Sequence, residues 1–141
     1  MEYIDFKKDF PERTIDILKN YKGKYEVTLL INCLTALLVL PKEFFYKNIP
    51  EEIPCGWGLT KEHITTVSCE ACGDKLREIV RHMRNAIAHL DIKTTNDKNG
   101  NIERVKFENR SKFIAEIPVD DLKTFVIKLA QHVIECKKDQ K

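Results

Sequence analysis

The segment "YEVTLLINCLTALLVLP" at residues 25–41 is the strongest helical signal in the chain and therefore the best indicator of its fold. After Glu26 it carries no charged side chain, and Pro41 ends it. A helix that is apolar nearly all round belongs in the centre of a bundle. We therefore predict a central helix over residues 25–40, with the other helices packed around it.

A single polar stripe interrupts this predicted helix. Thr28, Asn32 and Thr35 follow one another at spacings of four and three, so they share one side of the helix. Two interpretations are open. The three groups could satisfy each other or nearby carbonyls inside the bundle, or the stripe could face a second polar surface on another helix.

Three further helices are predicted on either side of this one. The first covers residues 4–21, although Pro11 fits only near a first turn, so the helix could begin there. Another covers residues 68–90, where apolar residues recur at threes and fours. The last covers residues 120–137, with Asp120 as its N-cap.

The segment "PKEFFYKNIPEEIPCGWGLT" at residues 41–60 is predicted to be a long connection. It holds three prolines and two glycines, which interrupt regular structure. We expect its aromatic residues, Phe44, Phe45, Tyr46 and Trp57, to lie back over the bundle. An aromatic platform for stacked bases is the alternative, but the spacing matches no known RNA-binding pattern.

The segment that precedes the last helix changes from helical to strand periodicity. Asn99-Gly100 is a strong turn signal, and Val105 and Phe107 alternate with charged neighbours. This pattern predicts a β-hairpin, and residues 113–117 could add a short third strand. The fold class predicted from the sequence is therefore mainly α, a bundle of four to five helices with a small β-hairpin inserted before the last helix, in one domain over residues 1–141.

Composition excludes several classes of protein. The chain has 141 residues and a formal net charge of only +2, so any contact with nucleic acid must be local. The N-terminal sequence has no apolar signal core, and the longest apolar run is shorter than the roughly 20 residues that a membrane span needs. Five cysteines without a regular framework indicate reduced thiols. We therefore expect a cytoplasmic protein that does not bind a membrane.

Four potential zinc ligands precede the third predicted helix. Cys69 and Cys72 are separated by two residues, and Cys55 and His63 lie upstream. Zinc binding, a redox pair and plain reduced thiols are all open. The spacing matches no common zinc module, so we favour reduced thiols and expect neither a metal nor a cofactor.

The third predicted helix carries a local cationic face. Leu76, Met83 and Ile87 lie near the centre of its apolar stripe. The remaining face gathers six cationic or polar residues against only Asp74 and Glu78: Arg77, Arg81, His82, Arg84, Asn85 and His89. The face could be simply solvated. It could also bind an anion, because guanidinium groups pair with phosphate oxygens and imidazole exchanges protons near neutral pH.

The segment "RNAIAH" at residues 84–89, with Arg84 and His89 separated by four residues, resembles the R-x-x-x-x-H signature of HEPN (higher eukaryotes and prokaryotes nucleotide-binding) domains. The resemblance extends to "YEVTLLINCLTALLVLPKE" at 25–43, to "RHMRNAIAHLDI" at 81–92 and to "NGNIERVKFEN" at 99–109. It covers most of the chain and is similar to a prokaryotic HEPN-like branch.

This resemblance implies a metal-independent endoribonuclease that acts as a homodimer. In such enzymes the signature arginine and histidine are the active residues, which here implies Arg84 and His89 as catalytic residues, with Asn85 in support. Toxin–antitoxin, phage-defence and RNA-processing settings are implied, and so is a partner such as an antitoxin or a nucleotidyltransferase. Single-stranded RNA is the expected substrate, with Arg77, Arg81 and His82 as candidate RNA contacts.

Two other function classes remain open from the sequence. Some HEPN-like domains are non-catalytic modules that bind RNA, a nucleotide or a protein and that dimerise. A scaffold or antitoxin-like dimer, in which the cationic face is only solvated, is the third alternative. RNA cleavage in the presence of a chelator separates the ribonuclease from the other two, and RNA binding separates those two from each other.

Overall fold

A computed structural model of the chain describes residues 2–39, 48–66, 75–109 and 113–138. The helices that lie wholly within this part are α1 Phe6–Asn20, α2 Glu26–Val39, α3 Leu76–Ala88 and α4 Val119–Lys138. The strands are β1 Ile64–Thr66, β2 Ile92–Asn96, β3 Ile102–Glu108 and β4 Phe113–Pro118. A 3-10 turn at Lys61–His63 leads directly into β1.

The predicted fold class is wrong in its β-structure. Instead of a small hairpin before the last helix, the chain forms a four-stranded antiparallel sheet in the order β1-β4-β3-β2. The extra edge strand, β1, comes from before α3, and Ile64 pairs with Ala115 far along the chain. Three residues are too few to show an alternating pattern, and such a long-range pairing leaves no local signal. The third strand predicted at residues 113–117 is confirmed as β4.

The predicted helix starts need three corrections. Helix α3 begins at Leu76 and not at residue 68, because Lys75 is in an extended conformation. Helix α1 begins at Phe6, one turn before Pro11, because the Asp9 carboxylate accepts hydrogen bonds from the Ile4 and Asp5 N–H groups. Helix α4 begins at Val119, so Asp120 lies in the first turn and is not the N-cap. There its charge favourably meets the positive end of the helix dipole.

Helix α4 organises the hydrophobic core. It packs against α1 and α2, while α3 packs between α2 and strand β3. Strand β4 alternates buried and half-buried residues, so one side of the sheet faces this core. The largest fully buried side chains are Leu18, Leu30, Leu34, Leu37, Leu76, Ile79, Met83, Phe107, Phe113, Ile117, Leu122 and Phe125. Consequently α3 is held firmly along its buried side, and its other side is available for function.

The connection after α2 lies over α4, as far as it is described. The Trp57 ring centroid is 6.3 Å from that of Phe125 and 5.6 Å from that of His132, which confirms the predicted position of this aromatic residue. The other predicted aromatic residues, Phe44, Phe45 and Tyr46, lie outside the described residues. A search of the described helices for a segment long and apolar enough to cross a membrane finds none.

Candidate functional site on helix α3

Helix α3 divides sharply into a buried and a cationic side. Leu76, Ile79, Val80, Met83 and Ala86 are at most 1% exposed. On the opposite side, Arg77 and Arg81 are exposed and Arg84 is half-buried. These arginines are spaced by four and three residues, so they form one row along the helix.

The arginines of this row differ in how their charge is balanced. Nη2 of Arg81 donates a hydrogen bond of 2.6 Å to Oε2 of Glu78, which neutralises Arg81 on its own helix. Arg84 forms no ion pair or hydrogen bond with any residue that the structure describes. A half-buried guanidinium without a carboxylate favours the approach of an anion.

Arg84 borders a groove between α2 and α3. The other lining residues are Thr35 and Leu38 on α2 and Ile87 and Ala88 on α3. Thr35 belongs to the polar stripe predicted on α2, whose other members, Thr28 and Asn32, are exposed. The Thr35 hydroxyl donates a 2.7 Å hydrogen bond to the carbonyl of Ile31 on its own helix. The stripe is therefore a surface feature, and one of its members lies beside Arg84.

His89 is held at the C-terminal end of α3 by a Schellman turn. Its backbone N–H donates to the carbonyl of Asn85, and the Asp91 N–H donates to the carbonyl of Ala86 at 2.8 Å. Leu90 lies between them in the left-handed conformation, with φ at 56°, and donates its N–H to Ile87. The turn fixes the backbone of His89 while its side chain stays exposed.

Arg84 and His89 are not joined within one chain. His89 lies five positions after Arg84, which places the two residues roughly 140° apart around the helix. Arg84 faces the groove with α2, His89 is exposed at the helix end, and no hydrogen bond between their side chains is found in the described structure. Asn85 lies between the two directions and is half-buried. One chain therefore presents the two residues on different sides of α3.

His82 lies on the buried side, although the sequence places it near the line of His89. It is 8% exposed, and its ring stacks on Phe113 at 4.7 Å with an interplanar angle of 16°. Its Nδ1 accepts a hydrogen bond of 2.8 Å from the side-chain amide of Asn109. Burial lowers the pKa of His82, the Arg81 charge lowers it further, and Glu78 partly offsets both effects. The ring is therefore neutral at pH 7 and joins α3 to the sheet.

The potential zinc ligands are only partly described. Cys69 and Cys72 lie outside the described residues, and Cys55 is exposed. Nδ1 of His63 accepts a hydrogen bond from the Thr60 N–H, and Nε2 lies 3.6 Å from an Asp121 oxygen. Among described residues, no group of three or more potential metal ligands converges.

Two features of the site escape prediction from sequence. The left-handed Leu90 has no sequence signal, because the residue usual at this position of a helix end is glycine. The groove depends on how α2 packs against α3, and periodicity along either helix alone does not reveal it. Of the residues that line the groove on α2, only Thr35 is indicated by the sequence, because it is the last member of the polar stripe.

Comparison with known proteins gives one family. The family model described as "HEPN pEK499 p136" matches residues 1–140, which is nearly the whole chain. No curated protein and no solved structure matches the chain significantly. The match includes the motif helix α3 and all the described strands.

Proposed function

Because the chain belongs to the HEPN pEK499 p136 family, we propose that it is a metal-independent endoribonuclease acting on single-stranded RNA as a symmetric dimer. The observation that carries this proposal is the half-buried Arg84, which no described carboxylate neutralises, in the same motif as the exposed His89. An arginine that pairs with no described residue is available to bind a phosphate.

The proposed reaction uses only side chains. The 2′-hydroxyl loses its proton and attacks the adjacent phosphorus, and the 5′-oxygen departs as it gains a proton. This breaks the chain and leaves a 2′,3′-cyclic phosphate. His89 would serve as the base or the acid, and the Arg84 guanidinium would stabilise the charge that grows on the phosphate oxygens. Asn85, between them on the helix, would support the pair.

The separation of Arg84 and His89 supports a dimer. A single α3 directs the two side chains roughly 140° apart, whereas two copies of α3 related by a two-fold axis could direct one of each toward the same phosphate. Leu90 follows His89 and is 84% exposed, which places an apolar side chain beside the proposed contact. One Arg84 with one His89 is the minimum that such a site needs, and a second copy of His89 would add the other proton-transfer role.

The remaining cations of the row would bind the RNA backbone. Arg81 and Arg77 lie one and two turns before the motif, respectively, on the same side of α3. We propose them as phosphate contacts that position the strand without reading its sequence. An antitoxin or a nucleotidyltransferase, the partners suggested by the resemblance, would act by covering this surface. His82 is the weakest of the proposed RNA contacts because its ring is committed to Phe113 and Asn109.

The test is cleavage of a labelled single-stranded RNA with excess EDTA. We expect products that end in a 2′,3′-cyclic phosphate or a 3′-phosphate. Arg84→Ala should lower the rate by roughly 10²–10³-fold, as removal of a charge-stabilising donor does in other enzymes. Arg104→Ala, which removes an exposed arginine from β3, is the matched control and should cleave normally. Loss of cleavage in EDTA, or an active Arg84→Ala protein, would contradict the proposal.

A non-catalytic HEPN-like binding module is the second candidate. It is favoured by the side chain of His89, for which no orienting hydrogen bond to another described residue is found, whereas catalytic histidines are usually oriented by a third group. This candidate expects RNA, nucleotide or protein binding that depends on Arg84 and produces no cleavage at any protein concentration. A gel-shift assay on the same RNA samples distinguishes the two.

A further inference from the structure

The groove between α2 and α3 combines an apolar interior with a cation at its edge. Leu38, Ile87 and Ala88 supply aliphatic walls, and Arg84 borders them. The volume of the groove is about 180 Å³. A cavity of roughly 150 Å³ in a protein interior holds one benzene ring, so this groove accommodates one flat ring system and is too small for a helix.

We propose that this groove binds one nucleobase of the RNA, with Arg84 on the adjoining phosphate. The inference rests on the proposed action on RNA and assigns the place where the strand is held. A purely apolar partner would cover the groove and bury the Arg84 charge without compensation, which is costly. A nucleotide carries both a flat ring for the aliphatic walls and a negative charge for the guanidinium.

The hydroxyl of Thr35 adds a polar contact at the wall of the groove. Its proton is committed to the Ile31 carbonyl at 2.7 Å, so the oxygen offers only lone pairs to a ligand. A ring N–H or an exocyclic amino group of a base can donate to it. The groove thus presents an acceptor, aliphatic walls and a guanidinium, the three features that a base with its phosphate requires.

The groove also determines where the phosphate of a bound nucleotide lies. Ala88 lines the groove and is exposed, and His89 is the next residue. A base in the groove therefore places its sugar and phosphate at the rim of the groove beside Arg84, where a symmetric dimer would bring His89 of the second chain. The base then lies to one side of the bond to be cleaved, and the groove is a subsite separate from the reacting atoms.

The experiment compares two ligands that differ only in the base. Adenosine 5′-monophosphate and ribose 5-phosphate are titrated into the full chain, and amide chemical shifts of Thr35 and Ala88 report binding. We expect the nucleotide to bind about tenfold more tightly, which corresponds to burial of about 55 Å² of apolar surface. Ala88→Leu fills the groove from an exposed helical position and should reduce the nucleotide's affinity to that of ribose 5-phosphate. Lys128→Leu, the same new side chain at an exposed position of α4, should retain the tenfold difference.

Three results would overturn the subsite. The first is equal affinity of the two ligands for the unmodified chain. The second is an Ala88→Leu protein that keeps the full preference for the nucleotide. The third is an Ala88→Leu protein in which only self-association changes, which would identify a second copy of the chain as the occupant of the groove. Cleavage is measured on the same samples. A base-dependent affinity without any cleavage in EDTA would support the subsite and contradict the ribonuclease, so the two proposals fail separately.

Discussion

The two histidines of the α3 region lie seven residues apart and have opposite environments. His82 is 8% exposed, stacked on Phe113 and hydrogen-bonded to Asn109. His89 is exposed at the end of the helix, where only its backbone is held by the Schellman turn. Residues seven apart share a side of an ideal helix, so spacing alone treats them alike. The sheet that packs beside α3 buries His82 and leaves His89 exposed.

The largest expected effect is that loss of His89 lowers RNA cleavage, whereas loss of His82 lowers the stability of the fold. His89→Ala should lower RNA cleavage by roughly 10²–10⁴-fold, as expected for loss of an acid–base group, and should leave the free energy of unfolding nearly unchanged. His82→Ala should lower the free energy of unfolding by roughly 2–4 kcal/mol, because it leaves a cavity against Phe113 and an unpaired Asn109 amide.

Chemical denaturation and the cleavage assay, applied to both variants, measure this contrast. Cleavage by each variant is normalised to its folded fraction. The comparison fails if His89→Ala is as unstable as His82→Ala, or if His82→Ala stays fully folded but loses cleavage as completely as His89→Ala.

A smaller effect concerns the pH dependence of stability. The pKa of His82 is lower in the folded chain than in the unfolded chain, because burial and Arg81 disfavour its charged form. As the pH falls below about 6.5, the unfolded chain binds a proton first, so stability is lost until folded His82 is also protonated. The free energy of unfolding should therefore fall between pH 7 and pH 5.5.

His82→Gln removes the titrating ring and keeps a polar side chain near Asn109. We expect this variant to be less stable at pH 7 but to show a flatter dependence on pH over the same window. The window stays above the range in which Glu108, whose pKa is lowered by Lys106 and Lys93, begins to protonate. An equally steep fall in His82→Gln would assign the pH dependence to other groups.

The smallest expected effect on stability is at Leu90, which follows His89 just after the C-terminal end of α3. A side chain in the left-handed conformation costs about 1–2 kcal/mol, and glycine avoids this cost. Leu90→Gly should therefore be about 1 kcal/mol more stable than Leu90→Ala, the reverse of the usual order in a helix. Both variants remove the exposed Leu90 side chain, so their difference isolates the backbone. An alanine variant at least as stable as the glycine variant would contradict the left-handed turn.

The sequence predicted those parts of the fold in which one helix carries its own signal. The apolar stripe of α3 and the run that forms α2 each predict their own helix, and the resemblance supplies Arg84 and His89 as candidate residues. The parts that failed depend on contacts between distant segments. Strand β1 is defined by pairing Ile64 with Ala115, and His82 is buried by Phe113, so neither follows from local periodicity.

The same reason limits prediction of the candidate site. The exposed row of arginines follows from a spacing of three and four on α3. Which arginine is neutralised, by contrast, depends on the rotamers of Arg81 and Glu78, and the groove beside Arg84 depends on the approach of α2. Leu90 adopts a conformation that its residue type disfavours. The sequence therefore indicates which residues are candidates for the site, but it does not predict their ion pairs, the groove beside them or the backbone conformation of Leu90.

A shared site requires that Arg84 of one chain and His89 of another act on the same phosphate. Purified hybrid dimers test this requirement in the cleavage assay. The hybrids are refolded from differently tagged Arg84→Ala and His89→Ala chains and isolated by both tags. Each hybrid keeps one Arg84 and one His89, on different chains. We predict that hybrids cleave single-stranded RNA in EDTA while each parent homodimer does not. Hybrids as inactive as both parents, or a protein that remains monomeric while it cleaves, would contradict the shared site.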